Sequence, residues 1–482
     1  MLRLTHNEKK INWGFALNVV GVDALVKRIF MRMAAKIPFV EARSYRLKGR
    51  RRQYIVIVAL NLSALIGGSE IALFARLIGM AWSSLLGSAL FILLCIAYVK
   101  LLPRVVYAAR LPEIDVAKLL ERQVIPLRSP KTDKVLRGKI ILVTGAAGSI
   151  GSELCRQLLN YQPSRVIALD TNETGLFDLL ESLRTHTGIS RLRVTIGDIT
   201  DAEYMERLFA RQKPDIVFHA AAYKHVPLLE EHPDQAIRTN VLATHRLCLL
   251  ARRHQVPRFV FVSSDKAAEP TNVLGASKRL GEIIIQSLAQ AEQGETCFCA
   301  VRFGNVIGSR GSVVPLFTKQ IEQGGPVTVT DPQATRYFMT IPEACGLVIY
   351  TAALAGQGGL YVLDMGEPVK IVDLATKMIR LRGLREEQDI AIVYTGLRPG
   401  ERLHEALVTE GETLVQTAYN KILSVLYRYR LPSLEAIACW MDTLEQELKL
   451  GEHERLRTHL FSMIREYELV PTGQSHDRAM WR

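Results

Sequence analysis

The segment "KIILVTGAAGSIGSELCRQLL", Lys139 to Leu159, constrains the fold more than any other part of the chain. Its apolar run Ile140–Val143 reads as a buried strand, and the residues after Gly148 read as an amphipathic helix. Between them Gly145, Gly148 and Gly151 stand in G-x-x-G-x-x-G spacing. Strand, glycine turn and helix together form the entrance to a dinucleotide-binding fold. The first glycine permits a tight turn, the second lets backbone approach a pyrophosphate, and the third allows close helix–strand packing. The phosphates then rest on the helix N-terminus, beside Ser149 and Ile150. The next strand, "RVIALD", ends in Asp170, nineteen residues after Gly151. A carboxylate there reaches the adenosine ribose hydroxyls and repels a 2′-phosphate, which favours NAD over NADP.

The alternation continues down the chain. "RLRVTIGDITD" gives a strand followed by Asp198 and Ile199, and "PDIVFHAAAYKHVP" gives another followed by the small residues Ala220 and Ala221, which let a cofactor lie over the strand end. "RFVFVSSDK" and "CFCAVRFGNVIGS" supply two more. Five or six strands alternating with helices predict an α/β fold with a Rossmann-type, doubly wound parallel sheet over residues 139–302. The pattern turns irregular after Arg302, which predicts a smaller substrate lobe over 303–432 and C-terminal helices and a tail over 433–482. His219 falls on a strand and reads as a core histidine. Tyr223, Lys224 and His225 follow that strand and are candidates to line the mouth of the site.

Composition matters mainly at the N-terminus. The formal net charge is +13 over 482 residues, and residues 1–53 hold thirteen Lys/Arg against Glu8, Asp23 and Glu41. The rest is nearly balanced, which argues against a nucleic-acid-binding body. After the basic region comes a hydrophobic hairpin over 54–102. Leu77–Val99 runs for 23 residues without a charge, and Tyr54–Ala75 is apolar but broken by Gly67-Gly68 and Glu70. Basic residues flank the pair on both sides, at Arg43–Arg52 and at Lys100, Arg104 and Arg110. Both flanks therefore face the cytoplasm, which predicts an inner-membrane hairpin or re-entrant pair with the catalytic body on the cytoplasmic side; the alternative is that Tyr54–Leu60 is a buried strand and nothing crosses. Residues 103–138 read as a polar connector. The seven cysteines are scattered, with no C-x-x-C pair, so no metal site is expected.

"SSDKAAEPTNVLGASKR", Ser263–Arg279, resembles the catalytic stretch of a short-chain dehydrogenase/reductase, with one departure. Such enzymes place a Tyr four residues before a Lys, on one helical face, where the cation lowers the phenol pKa. The Lys here is Lys278, and Leu274 stands where the Tyr belongs. Leucine takes no proton. Six ordered motifs widen the resemblance: "TGAAGSIGSELCRQLL", "HAAAYKHVPLLEEHPDQAIRTNV", "SSDKAAEPTNVLGASKRLGE", "RFGNVIGSRGSVVPLF", "YVLDMGEPVKIVDLA" and "GLRPGERLHEAL". Together they resemble the bacterial polysaccharide-biosynthesis nucleotide-sugar 4,6-dehydratases that act on UDP-N-acetylglucosamine. In the long, membrane-anchored branch of that family the Tyr position is typically Met. The N-terminus departs from that branch, whose members carry more spans and an extra domain there.

The resemblance implies a reaction. NAD oxidises the sugar at carbon 4, the ketone acidifies carbon 5, water leaves across carbons 5 and 6, and the hydride returns to carbon 6. It implies Asp265 as the acid, Lys266 as the base, Ser264 as a hydrogen-bond partner of the carbon 4 oxygen, and Lys278 on the nicotinamide ribose. It places Asp198 and Ile199 near adenine. For Lys266 to act as a base, burial and the neighbouring Lys278 should depress its pKa. A diphosphate needs guanidinium forks, so Arg310 and Arg398, with Asn305, are the candidate contacts for a UDP-N-acetylhexosamine. The resemblance also implies a homo-oligomer, paired through the helix around Lys278. Two other readings remain open on the sequence: a 4-epimerase or 4-reductase on the same fold, or a catalytically silent scaffold that binds NAD and nucleotide sugar.

Overall fold

The computed structural model describes residues 128–468 except 292–295, 355–358 and 429. The basic region 1–53, the hydrophobic hairpin 54–102, the connector before residue 128 and the tail after 468 lie outside the described residues. Among the described residues, no helix is long and apolar enough to cross a membrane. The end of the expected connector is built into the fold. Helix α1 (Pro130–Leu136) opens on a reciprocal cap between Ser129 and Thr132 and buries Leu136 completely.

Strands β1 (Ile140–Thr144), β2 (Arg165–Asp170), β3 (Leu192–Ile196), β4 (Ile216–His219), β5 (Arg258–Val262) and β6 (Cys297–Arg302) alternate with helices. The helices are α2 (Ser149–Leu159), α3 (Glu173–Ser182), α4 (Ala202–Gln212), α5 (Ala243–Arg253) and α6 (Val273–Ala291). A π-helical stretch, Ile237–Leu242, leads into α5. The strands pair in parallel in the order β3-β2-β1-β4-β5-β6. The strand order reverses between β1 and β4, the place beyond whose carboxyl ends open α/β sheets bind their ligands. Strands covered by helices on both faces bury side chains in both directions. Leu142, Phe259 and Phe261 enter one apolar cluster, and Ile141, Val143 and Val260 enter the cluster on the opposite face.

Past Arg302 come short pieces: β7 (Asn305–Ile307), α7 (Val313–Glu322), β8 (Val327–Val329), β9 (Thr335–Arg336), β10 (Phe338–Thr340) and α8 (Ile341–Leu354). Strand β11 (Gly359–Leu363) then joins the main sheet in parallel with β6. After β12 (Val369–Lys370), α9 (Ile371–Leu381) and β13 (Ile392–Tyr394), the hairpin β14 (Glu412–Gln416) and β15 (Ile422–Tyr427) adds two antiparallel strands beyond β11. The sheet thus reaches nine strands, and the last three come from the region whose pattern reads as a separate lobe.

Helices α10 (Leu434–Leu450) and α11 (His453–Glu468) pack on α6. Ile437, Met441, Leu444, Leu456 and Leu460 share its apolar cluster. As a result α6 is buried without interruption from Val273 to Ala289, on every face. This corrects the expected oligomer contact. The helix around Lys278 is covered by the chain's own C-terminal helices and presents no open face for a second copy.

Candidate active site

The glycine turn packs against the end of β4. Gly145 has φ +69°, and a Cβ there would lie 2.6 Å from Ala221 N and 2.8 Å from Ala220 C. Both are backbone atoms, so no side chain fits. A Cβ on Gly151 would strike Gly145 O. Gly148 caps α2 with no side-chain hydrogen bond, so no cap occupies the first-turn N–H groups beside Ser149 and Ile150. Asp170 holds this turn from β2: its carboxylate accepts from Ala147 N at 2.9 Å and from Asn172 N at 2.9 Å. Asp198 is exposed beyond β3 and accepts from Thr200 N at 2.8 Å, whereas the Ile199 side chain is buried in the core. A cradle that a single methyl would fill, with an uncapped helix end and a carboxylate on the next strand, fits a dinucleotide.

His219, at the end of β4, is fully buried and its two ring nitrogens are matched. Thr244 Oγ1 donates to Asn240 O at 2.7 Å, so it accepts from His219 Nε2–H at 2.8 Å. Nδ1 then accepts from Thr144 Oγ1 at 2.7 Å. Burial, with the Lys278 charge nearby, pushes the imidazole down to about 3, so it stays neutral. It is a core histidine. Asn240 continues the network, accepting from Tyr223 N at 2.9 Å and donating to Tyr223 O at 3.0 Å and Ser277 Oγ at 3.1 Å. Tyr223 itself is half exposed, and Lys224 and His225 are exposed beside it. Lys224 Nζ donates to Arg310 O at 2.8 Å, and the His225 ring lies against Gly311. The β4 loop and the 308–312 loop therefore meet at the mouth.

Beyond β5 the chain continues its pairing with the strand beside it, through Ser263 N to Val301 O at 2.8 Å and Asp265 N to Phe303 O at 3.0 Å. Asp265–Ala267 then make a tight 3-10 turn. This turn sets Asp265, 1% exposed, against Lys266. Lys266 Nζ lies 3.1 Å from Asp265 Oδ1, and Ser264 Oγ donates to the same oxygen at 2.9 Å. Asp265 Oδ2 is buried with no hydrogen-bond partner among the described residues. A Cβ at Gly304 would come within 3.0 Å of it. A buried carboxylate oxygen with spare acceptor capacity suits a substrate hydroxyl.

The structure corrects the expectation for Lys266. A second carboxylate, Glu405 Oε1, lies 3.1 Å from its Nζ. Burial alone would lower this lysine, but Asp265 and Glu405 outweigh burial and hold the ammonium above its ordinary value. The depressed lysine is Lys278. Its Nζ is buried, donates to Val262 O at 2.9 Å, and sits 4.6 Å from the Phe261 ring centroid. Burial, only partly opposed by Glu282, brings it down to about 8. Leu274, one turn earlier on α6, is buried.

Arg310 is brought to the glycine turn. Its N donates to Ser149 Oγ at 3.1 Å and its Nη1 to Ala147 O at 3.1 Å. Asn305 opens β7, and Arg398 is exposed in a turn closed by Glu401 N to Arg398 O at 3.0 Å.

The sequence profile of the polysaccharide biosynthesis protein family matches residues 141–426, more than half of the chain. The chain belongs to this family. Capsular polysaccharide biosynthesis protein CapD of Staphylococcus aureus is 48% identical over 313 residues, which are 65% of this chain and 52% of that protein. The chain thus spans about half the length of CapD. Uncharacterized membrane protein MJ1061 of Methanocaldococcus jannaschii is 43% identical over 57% of this chain and 82% of its own. Among solved structures, Pen from Bacillus thuringiensis matches with a TM-score of 0.56 and 33% identity, over 63% of this chain and 90% of that one.

The matched region includes a residue that the sequence reading passed over. Glu405 lies inside "GLRPGERLHEAL", where only Arg398 stood out. Its sequence signal was slight: a carboxylate, one of two in the stretch with Glu401, followed by the apolar Ala406 and Leu407. The same loop is tied to the Ser263–Arg279 segment at two further points, Asn272 Nδ2 to Gly400 O at 2.9 Å and Arg402 Nη2 to Glu269 Oε2 at 2.7 Å. His404 binds Thr335 Oγ1 through Nδ1 at 2.8 Å.

Proposed function

We propose that this protein is a 4,6-dehydratase of UDP-N-acetylhexosamines, UDP-N-acetylglucosamine foremost, with NAD as its resident cofactor. It makes a 4-keto-6-deoxy nucleotide sugar for a surface polysaccharide or glycan. The observation that carries this reading is the Asp265–Lys266 pair at the carboxyl end of β5, in contact at 3.1 Å with Asp265 buried, in a chain whose Tyr position is Leu274. An epimerase needs no base at carbon 5 and relies on that Tyr, so the same observation disfavours it. The names of CapD and its family support the polysaccharide setting.

The chemistry that NAD supplies when bound is reversible two-electron exchange with the sugar, out at carbon 4 and back at carbon 6. Gly145, Gly148 and Gly151, with Ser149 and Ile150, would hold its pyrophosphate, and Asp170 its adenosine ribose. Asp198 and the backbone at Ile199 would border adenine, Ala220 and Ala221 would lie under the nicotinamide half, and Lys278 would hold its ribose.

The protein's own part is proton handling. Asp265 and Lys266 rest as an ion pair that carries one proton. Its transfer from Nζ to Oδ1 gives a neutral amine and a carboxylic acid. Lys266 then takes the carbon 5 proton, and Asp265 gives its proton to the departing carbon 6 hydroxyl, which leaves as water. The ion pair is thereby restored. The carbon 4 hydroxyl proton leaves through water to solvent; Lys266 then returns a proton to carbon 5 and is recharged from solvent, which balances the proton carried away in the released water. Ser264 orients the carbon 4 oxygen. Tyr223, Lys224, His225, Asn305, Arg310 and Arg398 line the sugar-nucleotide side, with Arg310 at its junction with the cofactor.

The apolar segment 54–102 with basic flanks, and the membrane protein MJ1061 among the relatives, support an inner-membrane anchor with this site facing the cytoplasm. The test is turnover. The full-length protein with NAD should convert UDP-N-acetylglucosamine to a product lighter by one water in mass spectrometry. An NAD-loaded protein that leaves the sugar nucleotide intact contradicts the reading.

A further inference from the structure

Glu405 is buried, its side chain 4% exposed, at the inner end of the Gly396–Glu405 loop. A buried carboxylate is costly unless paired. Two cations face it. Lys266 Nζ is 3.1 Å away and Arg336 Nε is 3.7 Å away. Arg336 is committed elsewhere. It binds Glu401 Oε1 at 3.0 Å and donates to the carbonyls of Thr335, Leu403 and Arg402 at 2.7, 3.0 and 2.8 Å. It therefore acts as a fixed strut for the loop, and Lys266 is the closer cation.

We propose that Glu405 is a positioning residue for the reaction: it holds the Lys266 amine against Asp265 and ties the proton of that pair to the loop that carries Arg398. This rests on the dehydratase reading of the same site. With a carboxylate oxygen of Asp265 and one of Glu405 each 3.1 Å from Nζ, the amine has two anchors instead of one. Glu405 also stabilises the ammonium that forms as Lys266 takes the carbon 5 proton. The groups that bear on Lys266 are Asp265, Glu405 and Arg336; the two carboxylates favour its charge and Arg336 opposes it. Because Gly400, Glu401 and Arg402 anchor the same loop, a nucleotide engaged by Arg398 and the geometry of the catalytic pair share one support.

The experiment compares wild type with Glu405→Gln and Glu405→Asp by two readouts. The first is competitive acetylation of Lys266 against pH, read by mass spectrometry of its peptide, which needs no substrate. The second is the pH dependence of kcat/KM for water release. Glu405→Gln should bring Lys266 labelling to lower pH by about one to three pH units. The alkaline limb of kcat/KM, where the shared proton is lost, should move the same way, and kcat should fall about tenfold or more. Glu405→Asp should recover part of both. Unchanged labelling and an unchanged alkaline limb in Glu405→Gln, in a wild type that turns over, overturn the role of Glu405. A wild type without turnover overturns the dehydratase reading instead, and a shifted labelling profile would still uphold the coupling of Glu405 to Lys266.

Discussion

Replacing Glu412 with Gln should destabilise the protein by about 3–5 kcal/mol at neutral pH. Four buried charges meet behind the site. Arg302 Nη2 pairs with Glu282 Oε2 and Arg302 Nη1 with Glu412 Oε2, both at 2.6 Å, while Arg279 Nη1 reaches Glu412 Oε1 at 2.7 Å and Glu282 Oε2 at 3.2 Å. All four side chains are at most 1% exposed. Burial opposes the charge of Glu412, but Arg279 and Arg302 outweigh it and hold the carboxyl at about 2, against an ordinary 4.5. That gap is worth about 3 kcal/mol at roughly 1.4 kcal/mol per pH unit. The stabilisation is complete above pH 4.5 and disappears as pH falls through 2, because the folded carboxyl holds its proton less tightly than the unfolded one. Glutamine keeps one acceptor and turns an amide donor toward the guanidinium donors. Two buried arginines are then left with Glu282. Urea unfolding at pH 7 should show the loss as a midpoint lower by about 1–2 M, taking a slope of about 3 kcal/mol/M. The variant should also lose less stability than wild type between pH 5 and pH 2. Equal midpoints at pH 7, or equal acid sensitivity, would refute this account of the quartet.

Two further outcomes follow from the site. Gly145→Ala places a methyl 2.6 Å from Ala221 N at a positive φ, so it should weaken NAD binding at least about tenfold by titration calorimetry; unaltered affinity would mean that the turn does not receive the pyrophosphate. Lys278→Met removes a buried ammonium already pushed down to about 8, whose charge disfavours the folded state below that pH and ceases to do so above its ordinary 10.5. The variant should therefore raise the thermal midpoint at pH 7 while abolishing turnover, and a lower midpoint would contradict the sign.

The cofactor half was legible because its signals are local. Glycine spacing, an apolar run and Asp170 at a set distance are short-range features, and strand β1, helix α2 and Asp170 stand where those features put them. What escaped depends on distant pairing. Strands β11, β14 and β15 complete the main sheet from a region of irregular pattern, since their partners are fixed by the whole fold. Burial of α6 by α10 and α11 shows only once the C-terminal helices are docked. Lys266 gave the largest error. Adjacency to Asp265 and nearness to Lys278 are visible in sequence, but Glu405 lies far down the chain, and its charge joins that of Asp265 in outweighing burial. An ionisable group inside a protein is governed by every charge that folding brings to it, and the sequence displays only those nearby.

The central claim is proton transfer at carbon 5 by a protein without the usual tyrosine. The most direct measurement is incubation of the full-length protein, with NAD, with UDP-N-acetylglucosamine in deuterated water, the product being read by mass spectrometry and NMR. The account predicts loss of one water and a single deuterium at carbon 5. A product of unchanged mass inverted at carbon 4, or a dehydrated product with no deuterium at carbon 5, would contradict it.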